Sequence, residues 1–131
     1  MPDLNNLGYY PPINKFPEGQ CTWYAFGRIY ELSNGSKLSV SGNAGSWFNN
    51  APMGKRYSTP SGQLVACWSG GSGGYGHVAV VESYNATTKL MTFSDCNYNN
   101  DGKIITRPNI TEKQMKNLFG ASYTFQGYIG V

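Results

Sequence analysis

The run His77-Val-Ala-Val-Val-Glu82 constrains the fold of this chain more than any other segment. It is apolar, β-branched and uninterrupted, the pattern of a central strand. A glycine-rich stretch from Gly70 to Gly76 leads into it, and Asn85 to Lys89 reads as the turn after it. A central strand needs neighbours. Gln63 to Trp68, opened by Pro60-Ser61-Gly62, is one candidate, and Leu90 to Cys96, returning antiparallel, is another. Asn100-Asp101-Gly102 is a hairpin signal leading to Lys103 to Arg107, and Tyr123 to Val131 closes as a last strand.

The first half of the chain has a different period. Cys21, Tyr24, Ala25, Ile29 and Leu32 fall at i, i+3, i+4, i+8 and i+11, one stripe of a helix that Asn34-Gly35 stops. A second short helix is expected over Asn43 to Ala51, ended by Pro52, and Thr111-Glu-Lys-Gln114 has capping-box spacing for a third through Leu118. Residues 1–18 read as an irregular arm stiffened by Tyr10-Pro11-Pro12, and residues 19–131 as one domain. Helices first and an antiparallel sheet after them make the class α+β.

Composition narrows the function. The chain is 131 residues long, 40% hydrophobic and 15% aromatic, which excludes a disordered segment. Its net charge of +3 is scattered from Lys15 to Lys116, so no patch tracks nucleic-acid phosphates. No window of eighteen apolar residues spans a membrane. No basic segment followed by an apolar one marks a signal peptide near Met1, so a domain cut from a longer protein is the favoured expectation. Three cysteines cannot all pair, and a Cys67–Cys96 disulfide is possible but not favoured.

Of the thiols, Cys67 sits mid-strand, where an inert buried sulfur is the default, and Cys96 ends a strand. Cys21 follows Gly19-Gln20 at the first turn of the expected helix, where unpaired N–H groups and the helix dipole favour a thiolate. Gln20 beside it has an amide able to donate to an oxyanion. His77, the only histidine, opens a strand directly after a glycine loop, a rigid but accessible place for a general base. The orienting group for its imidazole is expected from Asp95 or Asn97, at the end of the antiparallel partner strand, where alternation sets both on one face. Glu82 is the rival carboxylate, but it lies roughly 16 Å along the His77 strand and points to the other face. Trp23, Tyr24, Trp47, Trp68, Tyr75 and Tyr98 are available to line a substrate groove, with about half of them expected to be structural instead. Tyr75, between glycines beside His77, leads that set, with Trp47 and Trp68 after it.

In order along the chain, Gly19-Gln-Cys-Thr-Trp-Tyr-Ala25, Gly42-Asn-Ala-Gly-Ser-Trp47, the Pro60-x-Gly62 turn, Gly76-His-Val-Ala-Val-Val-Glu82 and Ser94-Asp-Cys-Asn97 resemble the CHAP domain. The name abbreviates cysteine, histidine-dependent amidohydrolase/peptidase. The resemblance runs from about residue 14 to 131. It implies a papain-like fold and hydrolysis of an amide bond in peptidoglycan, by endopeptidase or N-acetylmuramoyl-L-alanine amidase action. It also implies Cys21 as nucleophile, His77 as base, and Gln20 with the Cys21 N–H as oxyanion hole. In the family a Glu often stands where this chain has Asp95, with an Asn matched by Asn97. The shorter Asp leaves open which of the two orients His77.

Some members carry an Asp-rich calcium loop before the cysteine. Ile13-Asn-Lys-Phe-Pro-Glu18 lacks that pattern, so neither metal nor other cofactor is expected. The expected setting is extracellular or wall-facing, secreted or borne by a phage as an endolysin, within a larger protein or assembly that carries targeting domains. Two alternatives stand beside this: an amidase of small soluble amides, and a silent wall-binding or tail-structural module. An intact Cys21, His77 and Gln20 argues against the second.

Overall fold

The structure, a computed structural model, describes residues 1–131. Its elements are α1 (Cys21–Leu32), α2 (Trp47–Asn50), β1 (Arg56–Tyr57), β2 (Leu64–Gly70), β3 (His77–Asn85), β4 (Leu90–Cys96), β5 (Ile104–Thr111), α3 (Glu112–Lys116) and β6 (Tyr123–Ile129). The strands form one sheet in the order β1-β6-β2-β3-β4-β5, every pairing antiparallel. The class is therefore α+β, as expected. β3 is central, and Leu64 to Trp68 and His77 to Val81 are buried without a break. Such runs need cover on both faces.

Each face has its own core. Tyr24, Ala25 and Ile29 of α1 pack on Val65, Cys67, Val78 and Val80. On the opposite face Trp68, Ala79, Val81 and Phe93 lie under Met115 of α3 and Phe119 after it. Alternation along β2 and β3 assigns each residue to one core or the other.

β3 pairs Val81 with Phe93 and Ser83 with Thr92, which leaves Glu82 unpaired at a bulge. Its carboxylate accepts from Arg28 Nη2 at 2.6 Å and Nε at 2.8 Å, and from Ser94 Oγ at 2.7 Å. Burial acts to raise the Glu82 pKa, but these donors hold it below the ordinary carboxylate range. The rival carboxylate is thus tied to α1.

Several boundaries differ from the sequence expectation, each for a local reason. The helix expected over Asn43 to Ala51 is a 3-10 turn, Ala44–Ser46, followed by one turn of α2. β5 runs past Arg107 through Pro108 to Thr111, which the sheet tolerates because β5 is an edge strand. The hairpin read at Asn100-Asp101-Gly102 is a longer loop, since the last pair of β4 and β5 is Cys96 with Ile104. The capping box on α3 is present as read: Gln114 N–H donates to Thr111 Oγ1 at 3.1 Å, and Thr111 N–H to Gln114 Oε1 at 2.8 Å. Residues 1–18 have one 3-10 turn, Leu7–Tyr9, and pack on α1: Tyr9 is buried against Trp23, whose indole N–H donates to the Tyr9 carbonyl at 2.6 Å.

Candidate active site

Cys21 is the first residue of α1. Its N–H belongs to the opening turn, which has no acceptor inside the helix, and its sulfur is partly exposed at the positive end of the dipole. Gly19, at φ +88°, makes the turn that delivers Gln20 and Cys21 to this position. All three cysteines are free. Burial pushes the Cys67 thiol well up from its ordinary value, and the Cys96 thiol up to about 12, so neither is a nucleophile near neutrality.

His77 opens β3 and is 3% exposed. The loop before it is pinned from outside: Gly45 N–H donates to the Tyr75 carbonyl at 2.8 Å, and a side chain on Gly76 would strike Gly45 and the Trp68 carbonyl. The imidazole packs against Phe119 (centroids 4.5 Å apart) and Tyr98 (5.6 Å). Its Nε2 lies 2.8 Å from Asp95 Oδ2. The ring's other nitrogen, Nδ1, is therefore the one left free to face the cleft that Cys21 lines. Burial acts to lower the His77 pKa. The hydrogen bonds to Asp95 and Cys21, with their charges, outweigh it and push the group up to about 9.

Asp95 and Asn97 separate. Asp95 is 1% exposed, on the Phe93 face of β4, and its carboxylate meets His77. β4 ends at Cys96, and Asn97 turns to φ +65°, so strand alternation does not carry its side chain to the imidazole. Asn97 instead donates from Nδ2 to Gln20 Oε1 at 2.9 Å and accepts from Gly102 N–H at 2.7 Å. A backbone N–H can only donate, so the Asn97 oxygen must face Gly102 and its NH2 must face Gln20. The Gln20 oxygen is thereby turned back, and its NH2 is left as the free donor. Gln20 caps α1 with its backbone alone, so its side chain is available for this.

Gln20, Cys21, His77 and Asn97 lie on one cleft of about 1000 Å³, lined also by Phe16, Val40, Asn43, Tyr75, Tyr98 and Tyr123, with Asp95 buried behind His77. Lys15 is the one lysine or arginine on its lining, and no aspartate or glutamate lies there. Tyr75, at 63% exposed, stands on the lining. Trp47 and Trp68 do not. Both are 0% exposed, Trp47 under Phe16 and Trp68 within the Phe93, Phe119 and Phe125 cluster, so neither can touch a substrate. Trp23 and Tyr24 are core residues too. One contributor escapes the sequence reading: Arg107 of β5, whose Nη1 donates to Asp95 Oδ1 at 2.7 Å.

A helix-borne thiol and a strand-borne imidazole lining one cleft beside an antiparallel sheet make the papain-like arrangement. The chain belongs to the CHAP-domain family, whose model matches residues 11–97. It is similar to the staphylococcal secretory antigen SsaA of Staphylococcus aureus (strain NCTC 8325 / PS 47), 32% identical over 119 residues that make up 90% of this chain and 42% of that protein. The staphylococcal secretory antigen ssaA2 of the same strain is 33% identical over 119 residues, 90% of this chain and 40% of its own length. Among solved structures, an N-acetylmuramoyl-L-alanine amidase from Staphylococcus aureus superposes with a TM-score of 0.53 at 25% identity, over 97% of this chain and 40% of that one. The chain spans about two fifths of the length of these relatives.

Proposed function

We propose that this chain is the catalytic domain of a peptidoglycan hydrolase that cleaves an amide bond of the murein stem peptide or cross-bridge with Cys21 as nucleophile. The observation that carries the reading is the His77 imidazole held through Nε2 by buried Asp95 at 2.8 Å on the same cleft that Cys21 and Gln20 line. The family membership and the similarity to an N-acetylmuramoyl-L-alanine amidase support an amide as substrate. A cleft with one lysine and no carboxylate suits a largely uncharged sugar–peptide segment. Similarity to proteins named secretory antigens supports action outside a cell or on its wall. The short match to longer relatives supports a larger protein with targeting parts, whether host-secreted or phage-borne.

In this reading His77 takes the Cys21 proton on Nδ1 while Asp95 holds Nε2–H. The thiolate attacks the amide carbonyl carbon, and the oxygen takes up the negative charge between the Gln20 NH2 and the Cys21 N–H. As the tetrahedral species collapses, the C–N bond breaks and His77 gives its proton to the leaving amine. Water, deprotonated by His77, then attacks the thioester, and the acid leaves with Cys21 restored.

Purified walls clarified by the wild type and untouched by Cys21→Ala are the expected result, with mass spectrometry of the fragments naming the bond from the new ends. Equal clearing by both variants would sink the thiol mechanism.

A further inference from the structure

Arg107 has no place in the reaction as written, yet it is bonded to the least exposed carboxylate of the site. β4 and β5 pair Phe93 with Arg107 and Asp95 with Ile105, so Arg107 stands diagonal to Asp95 on the same sheet face. Val81, four residues along β3 from His77 and on the same face, pairs with Phe93 from the other side. His77, Asp95 and Arg107 therefore make one row across three adjacent strands. Asp95 Oδ2 takes the His77 ring at 2.8 Å and Oδ1 takes Arg107 at 2.7 Å; the side chains are 4%, 1% and 24% exposed for His77, Asp95 and Arg107.

We propose that Arg107 is a positioning residue that, by clamping the outer oxygen of Asp95, fixes the carboxylate plane against His77 and sets the pH range in which the thiolate–imidazolium pair exists. This rests on the thiol–imidazole reading above.

Two physical effects act together. An aspartate held by one oxygen turns about its last torsion, whereas one held by both oxygens in opposite directions does not. With only one methylene, Asp95 must be held at its full reach. Arg107 is also the permanent cation of the row, so it takes up part of the field that Asp95 would otherwise place on the imidazolium. The other titratable groups around the pair are Cys21 from α1, Cys96 beside Asp95, Tyr98 after β4 and Tyr123 of β6. None of them is a cation. Trp68 of β2 and Phe119 after α3 add apolar walls only.

The test follows the rate of Cys21 alkylation by iodoacetamide against pH, read on the Cys21 peptide by mass spectrometry, with thermal melting to verify folding. Arg107→Gln should move the alkaline step, where the imidazolium loses its proton, up by on the order of 1 pH unit. Arg107→Lys, which keeps the charge, should return the step close to its wild-type position. Wall hydrolysis by Arg107→Gln should fall in kcat with little change in KM. A folded Arg107→Gln whose profile superimposes on the wild type overturns the proposal. If that variant does not fold, Arg107→Thr, suited to an edge strand, takes its place under the same criterion. Should both neutral variants unfold while Arg107→Lys folds, the cation is a structural anchor only and the proposal falls. The thiol–imidazole reading fails separately, if wild-type Cys21 alkylates with the pH dependence of a free thiol.

Discussion

Exchanging Asn97 for aspartate replaces one NH2 group with an oxygen and should reverse the polarity of the proposed oxyanion hole. In the wild type the order is imposed from outside, because Gly102 N–H claims the Asn97 oxygen and the Asn97 NH2 then claims the Gln20 oxygen. The introduced carboxylate would keep the first bond and lose the second donor. Its outer oxygen would face Gln20 Oε1 at the present 2.9 Å, two acceptors in contact. Gln20 relieves this by rotating its amide, which turns NH2 to the carboxylate and presents an oxygen to the reacting carbonyl. Losing one such donor costs about 2.7–4 kcal/mol of transition-state stabilisation, so kcat on purified walls should fall roughly 10²–10³-fold, as for Gln20→Ala. Asn97→Gly provides the contrast. It accepts φ +65° without strain and removes two side-chain bonds, of which only the one to Gln20 bears on the oxyanion; that one is worth about 0.5–1.5 kcal/mol, or roughly 2- to 13-fold. Alkylation of Cys21 by iodoacetamide develops no oxyanion and should stay within a few-fold in both variants. If Asn97→Asp clears walls within about threefold of the wild type, the amide polarity worked out above is wrong. If instead Asn97→Gly shifts the alkylation pH profile, Asn97 serves His77 after all.

Two further outcomes bear on the frame around the site. The folded His77 pKa, about 9, lies above its ordinary 6.5, so its contribution to stability is complete below pH 6.5 and is lost as pH rises through about 9. Melting followed from pH 6 to pH 10 should show up to about 3 kcal/mol disappearing across that window, and His77→Gln should lack the step; an unchanged step in the variant would assign it to another group. Gly27→Ala would place a methyl inside the Tyr9 ring, which must then leave its site against Trp23 and Glu31. A loss of about 1–3 kcal/mol and proteolysis before residue 18 are expected; melting within about 0.5 kcal/mol of the wild type would show that the arm is not docked.

What the sequence discloses about this site depends on how far each signal has to travel. Cys21 and His77 are legible because each begins its element, and the marks of a beginning are local: Gly19 before the helical stripe, Gly70 to Gly76 before the β-branched run. Gln20 is legible by adjacency to Cys21. Asp95 needs one more step, the pairing of β4 with β3, and alternation supplies the correct face. For Asn97 the same alternation fails, since β4 ends one residue earlier and a left-handed turn re-aims the side chain toward Gln20. Trp47 and Trp68 mislead because a large aromatic carries no mark of direction, and a run buried on both faces has no polar positions to reveal which way its tryptophan points. Arg107 lies furthest from reach. Its partner is set by the register of β5, and that register follows from a 97–103 loop whose length the Asn-Asp-Gly signal misstates. A two-residue turn at Asp101-Gly102 would have paired Asn100 with Lys103, whereas the real loop pairs Cys96 with Ile104 and so sets Arg107 diagonal to Asp95. The loop that hides Arg107 also supplies, through Gly102 N–H, the donor that orders Asn97 and then Gln20. One irregular connection therefore orients both the carboxylate behind His77 and the amide beside Cys21, which is why shortening it should damage the proposed oxyanion hole and the proposed thiol–imidazole pair together while leaving α1 and β3 in place.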